Sequence, residues 1–342
     1  MAHTPTTVRP RPRRRLWMVV ALVSALAAMV FVAFQASPWP SALVIRWVFD
    51  RGGAQTDAAL AAHVPPGIRT DAGLRYDPRD PAALLDIHRP SALVGRALPV
   101  IVWIHGGGFV AGSRRDVANY ARILAADGFA VVTVDYPLAP AARYPIPVRQ
   151  VNRALAYLSD NASRLGLDRE RFILGGDSAG AQLAAQVAAL ATSPGYAAAA
   201  GIPPGITREQ LRGAVLFCGP HDARLMARQA DSSWFLRTVI WSYLGSPRPP
   251  LATLREFSVP PHVTPDFPPS FISVGNGDPL APQSVALANA LQRQGVRVDT
   301  LFYPASHVLP LGHEYQFDLS RREARDALQR TRAFLRDLQS GG

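Results

Sequence analysis

Apolar and polar positions alternate along this chain in short blocks. Leu98-Pro99-Val100-Ile101-Val102-Trp103-Ile104 is an uncharged run rich in β-branched residues, the pattern of a strand buried on both faces. Similar runs recur at Ala130–Asp135, Phe172–Gly176, Gly213–Cys218, Phe271–Val274 and Val298–Tyr303. Helix-period segments lie between or after them, at Val148–Arg164, Ala179–Leu190, Gln283–Gln294 and Arg321–Leu338. Such alternation predicts an α/β fold: a mostly parallel sheet with helices on both faces. Gly73–Tyr76 and Leu84–His88 come before the alternation starts and are expected to form an antiparallel edge. Residues 221–263 interrupt it. They carry Trp234, Phe235, Trp241, Tyr243 and Phe257, and are expected to form a cap whose aromatics line an apolar pocket.

The N-terminus follows another pattern. Leu16–Phe34 is nineteen residues without a charge, preceded by Arg9, Arg11, Arg13, Arg14 and Arg15. A run of that length spans a bilayer, and the arginines are expected to stay cytoplasmic. The expected division is a basic cytoplasmic tail at 1–15, a transmembrane signal anchor at 16–35, and a linker at 36–72. One large α/β domain is expected at 73–342, with the cap as an insertion in it. A cleaved signal peptide, giving a secreted protein, is the rival reading, but Phe34-Gln35-Ala36 is a poor cleavage site. Residues 42–51 mix Leu43, Val44, Ile45, Trp47, Val48 and Phe49 with three charges, and suit either a helix at the membrane surface or part of the cap.

The candidate chemistry sits at strand ends. Gly176-Asp177-Ser178-Ala179-Gly180 follows a strand and opens a helix, as a nucleophile elbow does. His105-Gly106-Gly107-Gly108-Phe109 follows the strand at 98–104. Acyl transfer at a serine creates an oxyanion that needs preorganised donors. Backbone N–H groups of Gly107, Gly108 and Ala179 are expected to supply them, with His105 and Gly106 supporting the loop. Gly106–Ala111 also fits a dinucleotide fingerprint, with Asp135 at the next strand end. Gly112-Ser113-Arg114 interrupts the helix that such a site requires. A phosphate loop needs a lysine, and all 36 basic residues are arginine.

For a serine on such an elbow, the acid and then the base follow along the chain. Asp278 stands just past the strand at 271–274. Two histidines come later: His313, directly before the last helix, and His307, nearer the preceding strand. His313 is the expected base and His307 the alternative.

With these residues in hand, the chain resembles the hormone-sensitive-lipase-like branch of the α/β-hydrolase esterases. His105–Phe109, Asp135-Tyr136-Pro137-Leu138-Ala139-Pro140 and Gly176–Gly180 carry the resemblance. The chain departs at Pro137 and Ala141, where the family usually has Arg and Glu. The resemblance implies a carboxylic-ester hydrolase with a Ser-His-Asp triad, no metal and no organic cofactor. An amidase, a sugar or lipid deacetylase, or a catalytically idle binding protein on the same fold stays open.

Charge adds little. The net +11 falls to +6 over residues 37–342, where 31 arginines are scattered among 25 acids. That pattern argues against nucleic acid and suits an anionic membrane surface. The expected partners are therefore an ester substrate, small or lipid, and the membrane. The one cysteine, Cys218, allows no internal disulfide.

Overall fold

The computed structural model describes residues 12–340. Of the expected cytoplasmic tail, residues 1–11 lie outside the described residues.

Two long helices open the chain: α1 (Pro12–Ala36) and α2 (Trp39–Leu60). The edge strands β1 (Ile68–Arg75) and β2 (Leu84–Pro90) follow, then β3 (Leu98–Ile104), α3 (Ala118–Ala125) and β4 (Ala130–Val134). Helices α4 (Ile146–Asp160) and α5 (Ala162–Leu165) lead to β5 (Leu167–Asp177), α6 (Ala179–Thr192), α7 (Pro194–Ala200) and β6 (Leu211–Phe217). The cap comprises α8 (Ala223–Ala230), α9 (Trp234–Leu244) and α10 (Leu251–Phe257). The chain ends with β7 (Ser270–Val274), α11 (Ala281–Arg293), β8 (Val298–Phe302) and α12 (Arg322–Ser340).

The eight strands form one sheet in the order β1-β2-β4-β3-β5-β6-β7-β8. From β4 to β8 every pairing is parallel, and β2 runs antiparallel to both its neighbours, as the early strand runs led one to expect. Strand β3 is buried along its whole length because it lies mid-sheet under helices on both faces. One face packs α4, α6 and the cap; the other packs α3 and α12 around Trp103, whose ring meets Tyr120 and Phe217 edge-on at 5.0 and 5.3 Å. Trp241 is half-buried and Trp234 exposed, while Tyr243 and Phe257 are wholly buried.

Helix α1 contains a 21-residue stretch, Leu16–Ala36, long and apolar enough to cross a membrane, with none of it buried against the rest of the protein. Only Ser37 and Pro38 separate it from α2. Helix α2 is fixed to the body by polar contacts to loops and to the first turn of α3. Arg46 donates to the carbonyls of Val110 and Ala139 at 2.7 and 3.0 Å. Asp50 accepts from Gly112 N–H at 3.2 Å, and Asp57 from Asn119 N–H at 2.7 Å.

Candidate active site

Ser178 is the single residue between β5 and α6 and adopts φ 49°, ψ −121°. A non-glycine residue at positive φ is strained, and here the surrounding packing enforces it. At Gly176 and Gly180 an added Cβ would lie 2.6 Å from the Gly180 carbonyl carbon and 1.9 Å from the Ile104 oxygen, respectively. Any side chain at either position would push the turn off β3. The elbow therefore closes only with glycine on both sides, which is why the motif is visible in the sequence.

The loop after β3 faces it. Gly107 has φ +103°, and a Cβ there would sit 2.2 Å from the Ala111 oxygen. The loop is held from several sides. Asp177 accepts from Gly106 N–H at 2.7 Å and from Trp103 Nε1–H at 2.8 Å. His105 Nδ1 lies 2.8 Å from the Gly106 oxygen, and its ring stacks on Tyr136 at 4.3 Å. Burial lowers the pKa of His105, so the ring is neutral there. Ala179 is buried and opens α6, where the first amides of a helix have no intrahelical acceptor.

His313 Nε2 is 2.9 Å from Ser178 Oγ, and His313 Nδ1 is 2.7 Å from Asp278 Oδ2. Asp278 is buried, on the turn after β7, and its other oxygen accepts from Leu280 N–H at 2.8 Å. The structure thus brings Ser178, His313 and Asp278 into one hydrogen-bonded line. It leaves His307 elsewhere: its Nε2 is 3.1 Å from Glu323 Oε1, and its ring lies beside Tyr303. His313 does not abut the last helix as expected. A single 3₁₀ turn, Tyr315–Phe317, intervenes before α12 begins at Arg322, and Tyr315 buries its ring there with its hydroxyl on Ser273 Oγ at 2.9 Å.

Burial disfavours a charged His313, but the Cys218 sulfur, the Asp278 carboxylate and Glu314 outweigh it and hold the ring well above the ordinary histidine range. Burial also pushes the Cys218 thiol up. Glu314 Oε1 is 3.7 Å from His313 Nε2. Burial first, and then repulsion from Glu314, drive Asp177 well above the usual carboxylate range. Cys218, Asp278 and His313 place one ligand-type atom each within 4.8 Å of one another. The hydrogen bond between Asp278 and His313 already engages atoms that a metal ion would need.

Ser178, His313 and Gly106–Gly108 open onto a cavity of about 610 Å³. Its walls come from the cap (Met226, Phe235, Leu236, Val239) and from α2 (Val48, Phe49, Gly52, Gly53, Thr56). One expectation needs correction, and the expected break after the glycine loop is present. Of the five cap aromatics, only Phe235 lines the cavity. Tyr243 and Phe257 pack instead against Phe109, with Tyr243 stacked on it at 4.0 Å and 3° between planes. The glycine segment does not open a helix: a turn follows and α3 begins only at Ala118. Asp135 there is engaged by Arg114, whose backbone N–H reaches Asp135 Oδ1 at 2.7 Å and whose side chain also binds Asp86 at 2.9 Å. Sequence reasoning missed both this network and Glu314.

Residues 101–309 match the family described as alpha/beta hydrolase fold. An esterase from Gibberella moniliformis is 30% identical over 217 residues, covering 61% of this chain and 66% of that protein. Carboxylesterase NlhH of Mycobacterium tuberculosis is 32% identical over 209 residues, covering 59% and 63%. The chain thus spans just under two thirds of the length of these relatives. Among solved structures, inhibited esterase B from Lactobacillus rhamnosis superposes with a TM-score of 0.75 at 25% identity, over 88% of this chain and 97% of that one. The family match covers more than half the chain and includes the second half of β3, the elbow and the Asp278 turn, so the chain belongs to the alpha/beta hydrolase fold family.

Proposed function

We propose that this protein is a serine esterase, acting on carboxylic esters through an acyl-enzyme and held to a membrane by α1. The observation that carries the reading is the line Ser178–His313–Asp278, with bonds of 2.9 and 2.7 Å, opening onto a largely apolar cavity. The names of the esterase relatives agree with it.

In this mechanism Nδ1–H of His313 donates to Asp278, which fixes the tautomer and leaves Nε2 free to accept. Nε2 takes the Ser178 proton as Oγ attacks the ester carbonyl. The tetrahedral oxyanion is received by the amides of Gly107, Gly108 and Ala179, the last aided by the helix dipole of α6. His313 then returns its proton to the leaving alcohol oxygen. Water enters, loses a proton to His313 and attacks the acyl carbon; His313 then returns that proton to Ser178 Oγ as the acid leaves. The negative field of Asp278 and Glu314 stabilises the imidazolium formed in both halves.

The apolar helix supports membrane attachment. With the arginines cytoplasmic, the hydrolase domain lies outside the cytoplasm. The full-length chain is then expected to remain with membranes after a high-salt wash, and N-terminal sequencing to find no mature end near residue 36. For the chemistry, hydrolysis of p-nitrophenyl esters of rising acyl length is measured with the wild type and Ser178→Ala. A folded Ser178→Ala protein with unreduced turnover would sink the serine mechanism.

A further inference from the structure

The exposed side of α2 is apolar where a surface helix is normally polar. Leu43, Trp47 and Val48 are 52%, 59% and 49% exposed, and Trp39 and Val44 are exposed beside them. Residues 39, 43 and 47 form one stripe at four-residue spacing, and 44 and 48 form the adjoining one. The opposite face carries Ala42 and Ile45 into the core, so the helix is apolar on both sides for different reasons.

This face continues to the cavity. Val48 and Phe49 are both exposed and cavity-lining, so they form its rim. Phe49 meets Phe235 of α9 with ring centroids 5.4 Å apart. Next to Phe235, Trp234 projects outward at 53% exposure. Arg237, one turn on, is exposed, and Arg51 lies over the Trp47 ring at 3.8 Å.

The connection to α1 fixes where this rim sits. A helix of 21 residues is about 31 Å long, matching a hydrocarbon core of about 30 Å. Ser37 and Pro38 together reach no more than roughly 7 Å. If α1 spans a bilayer, the first turns of α2 must begin in its interfacial layer. Tryptophan and arginine are the residues favoured at that depth.

We propose that the outer face of α2, with Trp234 of α9, rests in the interfacial layer of the membrane that α1 crosses. The cavity mouth then opens against lipid, and its substrates are esters of long apolar acyl chains dissolved in that bilayer. Such a chain passes from lipid to the Phe49–Phe235 rim without crossing water. The proposal rests on the serine-esterase reading and on α1 as a span.

The test uses the full-length chain in vesicles of phosphatidylcholine and phosphatidylglycerol. Two substrates are compared: p-nitrophenyl acetate in the water phase and dioleoylglycerol in the bilayer. Leu43→Glu/Trp47→Glu and Trp234→Glu change residues outside the cavity lining; Trp47→Phe is the conservative control. The expected result is acetate hydrolysis within about twofold of wild type in every variant, with a loss of at least about tenfold on dioleoylglycerol in the glutamate variants only. Equal losses on both substrates, or no loss on dioleoylglycerol, would overturn the proposal. A wild type that cleaves the acetate but not dioleoylglycerol would overturn it while leaving the esterase reading intact. A wild type that cleaves neither would remove both. In parallel, Leu43→Cys carrying a bimane label is expected to be quenched by lipids brominated near the headgroup. A label that stays in water, or is shielded only as protein concentration rises, would overturn the membrane assignment, the second result placing another copy of the chain on this face.

Discussion

Asp177 Oδ2 accepts a hydrogen bond from the Gly106 N–H at 2.7 Å, tying the residue before the nucleophile to the first glycine of the facing loop. Its other oxygen takes the Trp103 indole N–H. An asparagine has one acceptor oxygen where this site needs two. In either orientation of the amide, one buried N–H loses its partner, at a cost of about 1–3 kcal/mol. Asp177→Asn is therefore expected to lower kcat by roughly tenfold or more with little change in KM, since the loop serves the oxyanion more than the bound ester. Steady-state kinetics on a water-soluble ester check this; an unchanged kcat would detach Asp177 from the loop's role.

The two histidines are separated by substitution. His313→Ala is expected to match Ser178→Ala, each losing on the order of 10⁴-fold or more in kcat, because such residues act as a unit. His307→Ala removes a hydrogen-bond partner of Glu323 and is expected to keep activity within about threefold. Reversed behaviour of the two histidine variants would mean that the 2.9 Å contact to Ser178 is not the productive one.

The pH dependence has a definite sign. In the proposed mechanism His313 works as a base only when neutral, and its pKa is held above the ordinary histidine value. The neutral fraction grows as pH rises, so kcat/KM is expected to rise with pH, with a midpoint on the alkaline side of about 6.5. Glu314 contributes negative charge that favours the imidazolium. Glu314→Gln is thus expected to move the midpoint to lower pH. A midpoint that stays put, or moves up, would show that Glu314 does not act on the ring.

Arg46 tests how α2 is held. Arg46→Met keeps the aliphatic packing but leaves the Val110 and Ala139 carbonyls without their donor. A loss of about 1–3 kcal/mol is expected, read as a Tm lower by roughly 2–6 °C. Because Val110 follows the glycine loop directly, kcat on soluble esters should fall with it. Calorimetry showing an unchanged Tm would mean that α2 is held by packing alone.

Arg114→Met addresses the network that replaced the nucleotide reading of Asp135. Arg114 and Asp86 are both buried, and removing the cation leaves two facing carboxylates. The expected destabilisation is about 3–5 kcal/mol, measured by urea unfolding.

What could be read from the sequence followed from how local the cause was. Ser178 was legible because the elbow forces glycine at 176 and 180, within two residues. Asp278 was legible because a strand end and a turn stand together. The structure sets His313 rather than His307 beside Ser178 and Asp278, although the reason offered, adjacency to the last helix, missed the 3₁₀ turn at Tyr315–Phe317. Arg114 with Asp86, and Arg46 with Ala139, join residues 28 and 93 apart, and no local pattern announces such partners. The cap aromatics misled because their composition suits a pocket and a core equally. Only the contact of Tyr243 and Phe257 with Phe109 distinguishes the two.

Helix α2 supplies the Gly52–Gly53 wall of the cavity and is also the first element after the apolar helix α1. One segment thus carries two traits that other architectures keep on separate parts of the chain. With α1 in a membrane, as proposed, a substitution that widens or narrows the cavity from this side also alters how the domain is suspended, and the reverse holds. Variation in substrate choice therefore has a freer path through α8 and α9, which line the same cavity but have no direct link to α1. Libraries that diversify Met226, Leu236 and Val239 should yield altered acyl preference with attachment unchanged. Libraries at Val48, Phe49 and Gly52 should return coupled changes in both.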